Sequence, residues 1–230
     1  GHVSPTKSIH VMEDLELEDV WVVHESHEIT NDILKKETTT LPLSSLPCCN
    51  VGVESTVAKV DETLQSVSIL RQGAISAQDI KECLAKAELA DDFSVDVKVK
   101  TTSEQVANIA PGQTVRHYSP DVISYMISEK RWQELQQPSD CSMTKDEIQH
   151  IQNAVMLDFG GKLRVWKAKA LAYRDLSITG NSKEGATRVF DYLRWAEQVD
   201  GAERIYFPEL AVNENTDALT LAIKDRLTRA

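Results

Sequence analysis

The spacing of apolar and polar positions changes character along the chain. Residues 51–60 and 67–70 are rich in β-branched side chains and flank the polar Asp61-Glu62-Thr63, which predicts an antiparallel β-hairpin. Ser76 with Asp79 three residues on forms a capping box ahead of a predicted helix over 78–89. In that helix Ile80, Leu84 and Ala87 face the core, Lys81, Glu82, Lys86 and Glu88 face out, and Cys83 is expected to pack. Val95, Val97 and Val99 alternate with polar residues, so 93–99 reads as a strand. At the start, Ser4-Pro5-Thr6 reads as a helix opening with serine as N-cap and proline at the first helical position; Ile9, Met12 and Leu15 then fall on one side. Residues 19–23, D-V-W-V-V, are a buried-strand candidate.

From Asp121 onward strands and helices alternate. Strands are expected over 122–126, 154–159, 168–173 and 204–207, and helices over 129–136, 145–152, 182–197 and 217–227. Such alternation implies a parallel sheet covered on both faces, a small doubly wound Rossmann-like α/β domain. Gly160-Gly161 alone is too little to place a nucleotide there. Arg188 and Arg194 read as solvated helix charges.

Two stretches interrupt these patterns. Residues 24–50, rich in Thr, Ser and Pro, are too long for a simple connection and read as a mobile surface loop. His24, His27, Cys48 and Cys49 lie within it, but their spacing fits no established zinc module, so no metal is assigned. Residues 100–120 begin polar, turn at Pro111-Gly112 and end at Pro120, which marks a linker. Within this linker Arg116-His117-Tyr118 brings together a charge, a titratable ring and an aromatic.

Composition narrows the classes. Among 230 residues, 41% are hydrophobic and 27% charged, as in an ordinary soluble globular protein. A net charge of −11 opposes a broad basic face that grips nucleic acid, while leaving room for a small anion in a local basic pocket. No apolar run reaches the length of a membrane span and the start lacks the pattern of a signal peptide, so a cytoplasmic protein with no membrane association is expected. Four cysteines without C-x-x-C spacing are expected to be reduced thiols.

The candidate chemistry sits at the ends of the hairpin. Glu54, Ser55 and Thr56 open its first strand and Arg71 closes its second, so antiparallel pairing makes them neighbours. A guanidinium beside paired hydroxyls can hold phosphate or carboxylate, because Arg presents a planar fork of donors and stays charged. The helix opening at Ser76 adds a second feature that favours an anion. On local sequence alone the residues fit better a strand-end charge whose neighbouring hydroxyls satisfy backbone groups.

G-V-E-S-T-V at 52–57 followed by I-L-R-Q-G-A-I at 69–75 resembles the signature of the threonylcarbamoyl-AMP synthase family, whose YrdC-like domain carries G-V-E-S-T-V and I-L-R-P-G-A-I. Gln72 stands where the family has proline. S-P-T at 4–6 is similar to the family's segment of that kind, and P-G-Q-T-V-R-H-Y-S-P resembles the P-G-M-x-x-x-H-Y-x-P linker of its two-domain form. The later order F-G, D-L-S, G-A-T-R-V-F-D-Y-L-R and A-I-K-D-R-L-T-R-A resembles its C-terminal accessory domain.

The resemblance implies an α/β chain in three parts. These are the C-terminal half of a YrdC-like α/β domain over 1–99, an active-site lid linker over 100–120 and the accessory domain over 121–230. The implied reaction joins L-threonine, bicarbonate and ATP into threonylcarbamoyl-AMP and pyrophosphate, with Mg²⁺ accompanying ATP and no protein ligand for the metal. Arg71 would bind phosphate, Ser55 and Thr56 the threonine or its carbamate, and Thr6 the nucleotide; Ser4 is explained equally well by capping. His117 and Tyr118 would close over ATP, and no residue acts as nucleophile. The product would pass to the tRNA threonylcarbamoyl transferase machinery that modifies position 37 of tRNA, with strong direct tRNA binding not expected. The family's K-x-R and S-x-N motifs are expected upstream of Gly1. The alternative is a non-catalytic binding or regulatory protein that retains half of the pocket.

Overall fold

The computed structural model describes residues 3–15, 51–98, 119–136, 144–213 and 215–230. The predicted strand over 19–23, the loop over 24–50 and the linker with Arg116, His117 and Tyr118 lie outside the described residues. Among those described, no helix is long and apolar enough to cross a membrane.

The hairpin forms from β1 (Val57–Asp61) and β2 (Ser66–Arg71), paired antiparallel, and β3 (Ser94–Val97) adds parallel to β2. β2 lies in the middle because its Val67, Ser68, Ile69 and Leu70 are buried, and the buried Ser68 hydroxyl is satisfied by Asp96 Oδ1 at 3.0 Å. The Asp61 carboxylate accepts from Leu64 N at 3.0 Å and shapes the turn, which extends to Gln65 at φ 47° before β2 begins. α2 (Ala77–Lys86) has the expected capping box, in which Ser76 Oγ accepts from Asp79 N and Asp79 Oδ2 accepts from Ser76 N. It is a surface helix: Ile80 and Leu84 are half-buried, and Ala87 and Cys83, expected to pack, are exposed.

The second sheet holds β4 (Ile123–Ile127), β5 (Ala154–Asp158), β6 (Ala172–Asp175) and β7 (Arg204–Pro208) in the order β4-β7-β5-β6, all parallel. β5 is buried along its whole length, which is why it reads as an apolar run rather than an alternating one. Its Val155 and Leu157 join the core that also holds Val189, Phe190 and Leu193 of α5 (Ser182–Glu197) and Ile223 and Leu227 of α6 (Ala218–Arg229). Met156 joins Ile127, Ile151, Leu163 and Trp166 in a separate core with α4 (Lys145–Gln152). α3 (Glu129–Leu135), capped by Ser128, is tied to α4 by the ion pair Arg131–Glu147 at 2.8 Å. The doubly wound α/β arrangement expected from the sequence is therefore present.

The strand expected over 168–173 forms later, at Ala172–Asp175, because a 3-10 turn at Arg164–Trp166 first buries Trp166 in the core. Asp158 at the end of β5 organises this connection. Its carboxylate accepts from Tyr173 Oη at 2.5 Å, Phe159 N at 2.7 Å and Leu163 N at 3.0 Å. Burial pushes its pKa up, and those bonds oppose the shift.

The N-terminal segment departs most from expectation. α1 spans Ser8–Leu15, so Ser4-Pro5-Thr6 stand ahead of the helix and Ser4 is not its N-cap. Met12 and Leu15, which fall on one side of the helix, are 49% and 51% exposed, whereas His10 is buried and Val3 enters the core under α5. Polar contacts hold the helix on α5: Lys7 Nζ meets Asp191 Oδ1 at 2.7 Å and His10 Nε2 meets the same oxygen at 3.2 Å. His10 Nδ1 accepts from Thr6 N at 3.1 Å, so Nε2 carries the proton given to Asp191. Arg194 is likewise not a solvated charge; it is buried and donates to both carboxylate oxygens of Asp14. Arg188 is half-buried, and its Nη1 donates to Leu176 O at 3.1 Å.

The His10 hydrogen bond, with that of Lys7, holds the Asp191 carboxyl below its ordinary value of 3.8, at about 2. A depressed folded-state pKa stabilises the protein above the unfolded value and loses that contribution as pH falls through the folded one. The stability gap between wild type and Asp191→Asn in urea unfolding should therefore shrink as pH falls from about 5 toward 2. A gap that does not change over this range would remove the charge from the account.

Candidate functional site

The two motif segments meet at the open end of the hairpin, as antiparallel pairing requires, with Val57 opposite Arg71 and an irregularity before Ala58. Arg71 Nε donates to Ser55 O at 3.0 Å and Nη2 to Ser55 Oγ at 3.2 Å. Thr56 Oγ1 donates to Ile75 O at 2.8 Å and accepts from Ile75 N at 3.1 Å, which ties the strand opening to the turn after Arg71. Gly73 makes this closeness possible: a Cβ there would stand 2.4 Å from Glu54 O and from Thr56 N.

Residues 51–56 were expected to extend the first strand, yet β1 begins only at Val57. The reason is tertiary. Gly52, at φ +69°, lies so close to α5 that a Cβ would come within 2.0 Å of Ala186 O, and Val53 packs against the core under α5 and α6. Glu54 then turns to α6, where its Oε2 is 2.5 Å from Arg226 Nη2 and 3.9 Å from Arg71 Nη1. Arg226 lies on the buried stripe formed with Ala222, Ile223 and Leu227, and its side chain is 1% exposed. Burial pushes its pKa down, while the Glu54 and Asp225 carboxylates hold it up.

Ser55, Thr56 and Arg71 are therefore brought together, and Glu54 and Arg226 complete the group. Arg226 was not picked out from the sequence. The signal was there, since an arginine three and four positions from Ile223 and Ala222 on a core-facing stripe requires a carboxylate partner. Thr6 bonds to His10 rather than to this cluster, and its Oγ1 is buried without a hydrogen-bond partner. The α2 N-terminus is already occupied by the Asp79 carboxylate, held below its ordinary pKa by the Ser76 side chain. His117 and Tyr118 lie outside the described residues. Among the described residues no group of acidic, imidazole and thiol side chains could hold a metal ion.

A four-stranded parallel sheet covered by helices on both faces, with a separate small sheet whose hairpin carries an arginine–hydroxyl cluster, defines an α/β protein. The family model for the threonylcarbamoyl-AMP synthase C-terminal domain matches residues 75–230, and the chain belongs to that family. Among solved structures, P. abyssi Sua5 complexed with L-threonine is similar over 100% of this chain, with a TM-score of 0.61 and 20% identity. A doubly substituted form of P. abyssi Sua5 is similar over 99%, with a TM-score of 0.60 and 18% identity. The chain spans 54% of the length of each of these structures. No curated protein sequence matches it.

Gly52→Ala tests the docking of the motif on α5. The added Cβ meets backbone rather than a flexible side chain, so urea unfolding should show a loss of about 1–3 kcal/mol. Unchanged stability would mean that the motif does not approach α5 this closely.

Proposed function

We propose that the chain forms part of a threonylcarbamoyl-AMP synthase, which joins L-threonine, bicarbonate and ATP into threonylcarbamoyl-AMP and pyrophosphate for tRNA threonylcarbamoylation. The observation that carries this reading is the Arg71 fork on Ser55, built where the G-V-E-S-T and I-L-R-Q-G segments cross. Membership of the family and the likeness to a fold solved with L-threonine support it.

The chemistry asks mainly for alignment and for neutralisation of phosphate charge. In this reading Arg71 binds a phosphate of ATP, while the Ser55 and Thr56 hydroxyls orient threonine or its carbamate. His117 and Tyr118 cover the nucleotide, and Thr6, expected at the nucleotide, keeps its hydroxyl buried without a hydrogen-bond partner. ATP enters with Mg²⁺, for which these residues supply no ligand, and no step is assigned to the ion.

Calorimetric titration of the chain with ATP and with pyrophosphate tests the reading. Arg71→Ala should weaken both by about 1.5–3 kcal/mol, roughly 10- to 150-fold in affinity, with little change in unfolding midpoint. Equal affinities in wild type and variant would leave Arg71 a strand-end charge and overturn the assignment.

A further inference from the structure

Glu54 sits between two arginines of different origin. Arg71 belongs to the hairpin, and Arg226 belongs to the last helix, more than 150 positions away in the sequence. The carboxylate Oε2 is 2.5 Å from Arg226 Nη2 but 3.9 Å from Arg71 Nη1. Side-chain exposures of 1% for Arg226, 14% for Glu54 and 12% for Arg71 place the three charges where water screens them little. Among the described residues, Asp225 stands 3.6 Å from Arg226 and is itself bonded to Arg229 Nε at 2.9 Å.

A carboxylate beside an anion-binding arginine is a liability. It competes with the ligand for the same donors, and it repels phosphate. With Glu54 required to lie here by Gly52 and Val53, which anchor the preceding backbone to α5 and its core, that competition has to be met by another cation.

We propose that Arg226 is a positioning residue for the anion site: it takes the short contact with Glu54 and holds that carboxylate off Arg71. The accessory domain thereby reaches into the hairpin cluster by one guanidinium. Arg226 needs no contact with the ligand, because its effect passes through Glu54. The proposal rests on the reading of Arg71 as an anion-binding residue.

The test uses inorganic pyrophosphate as the probe, titrated calorimetrically into the full chain, with thermal unfolding to confirm that each variant folds. Arg226→Met keeps an apolar side chain of similar length on the buried stripe and leaves Glu54 to Arg71. Pyrophosphate affinity should fall by about tenfold. Adding Glu54→Gln to Arg226→Met removes the competing charge and should return affinity to within about threefold of wild type. A merely structural role for the ion pair predicts no such return, since the double variant also lacks the tie to α6. A folded double variant that binds as weakly as Arg226→Met overturns the proposal.

Glu54→Gln alone covers the case in which Arg226→Met does not fold. It should bind pyrophosphate at least as tightly as wild type, and weaker binding would overturn the proposal. If wild type shows no binding that depends on Arg71, the functional reading fails, but the geometry is still read from the Arg71 Nε–H resonance in side-chain ¹⁵N spectra. That resonance should shift in Arg226→Met and return in the double variant; its constancy would show that Arg226 does not govern what Arg71 meets.

Discussion

The ion pair between Glu54 and Arg226 joins the two parts of the structure. A guanidinium that is almost fully buried on a core-facing helix stripe needs a carboxylate and good geometry, or its desolvation would outweigh everything the stripe contributes. The carboxylate comes from the segment that opens the hairpin. One contact therefore pairs the buried charge of the last helix and sets how the motif lies against the second sheet. The cost of leaving either charge alone makes this a constraint on orientation rather than a large net source of stability.

The motif is divided between two environments. Gly52, Val53 and Glu54 belong by contact to α5, α6 and the core beneath them, whereas Ser55, Thr56 and Gly73 belong to the open end of the hairpin. The backbone between Glu54 and Ser55 is the seam. Local pairing of β1 and β2 brings Arg71 to Ser55, but long-range packing decides what Arg71 meets on its other side. A similar division holds for the N-terminal segment, where Val3 supplies an apolar anchor and Lys7, His10 and Asp14 supply charge and hydrogen bonds to α5. These polar contacts explain why Met12 and Leu15 can remain exposed.

Much of the architecture was legible because periodicity and capping are local. The hairpin, the Ser76–Asp79 capping box, the apolar run of β5 and the alternation after Asp121 each follow from residues within a few positions of one another. Apolar spacing orients α1 by Ile9, Met12 and Leu15, yet charged partners on α5 hold it, and Arg194 reads as a solvated charge although Asp14 neutralises it. Cys83 sits on a helix that proves to be superficial. For α1 and Arg194 the deciding partner lies far away in sequence, where no local pattern can announce it.

The sequence by itself determined that a hairpin and a capped helix form ahead of residue 99, that alternating strands and helices building a parallel sheet follow Asp121, and that Arg71 returns to Ser55 and Thr56. Side-chain period, turn chemistry and antiparallel pairing suffice for these, since all three act over short separations. Only the tertiary structure decided that Gly52 and Val53 leave the strand to dock on α5, and that Glu54 faces Arg226 before it faces Arg71. Burial creates that requirement: a charge acquires a fixed partner only when folding removes it from water, and which elements do so depends on how the two sheets come together.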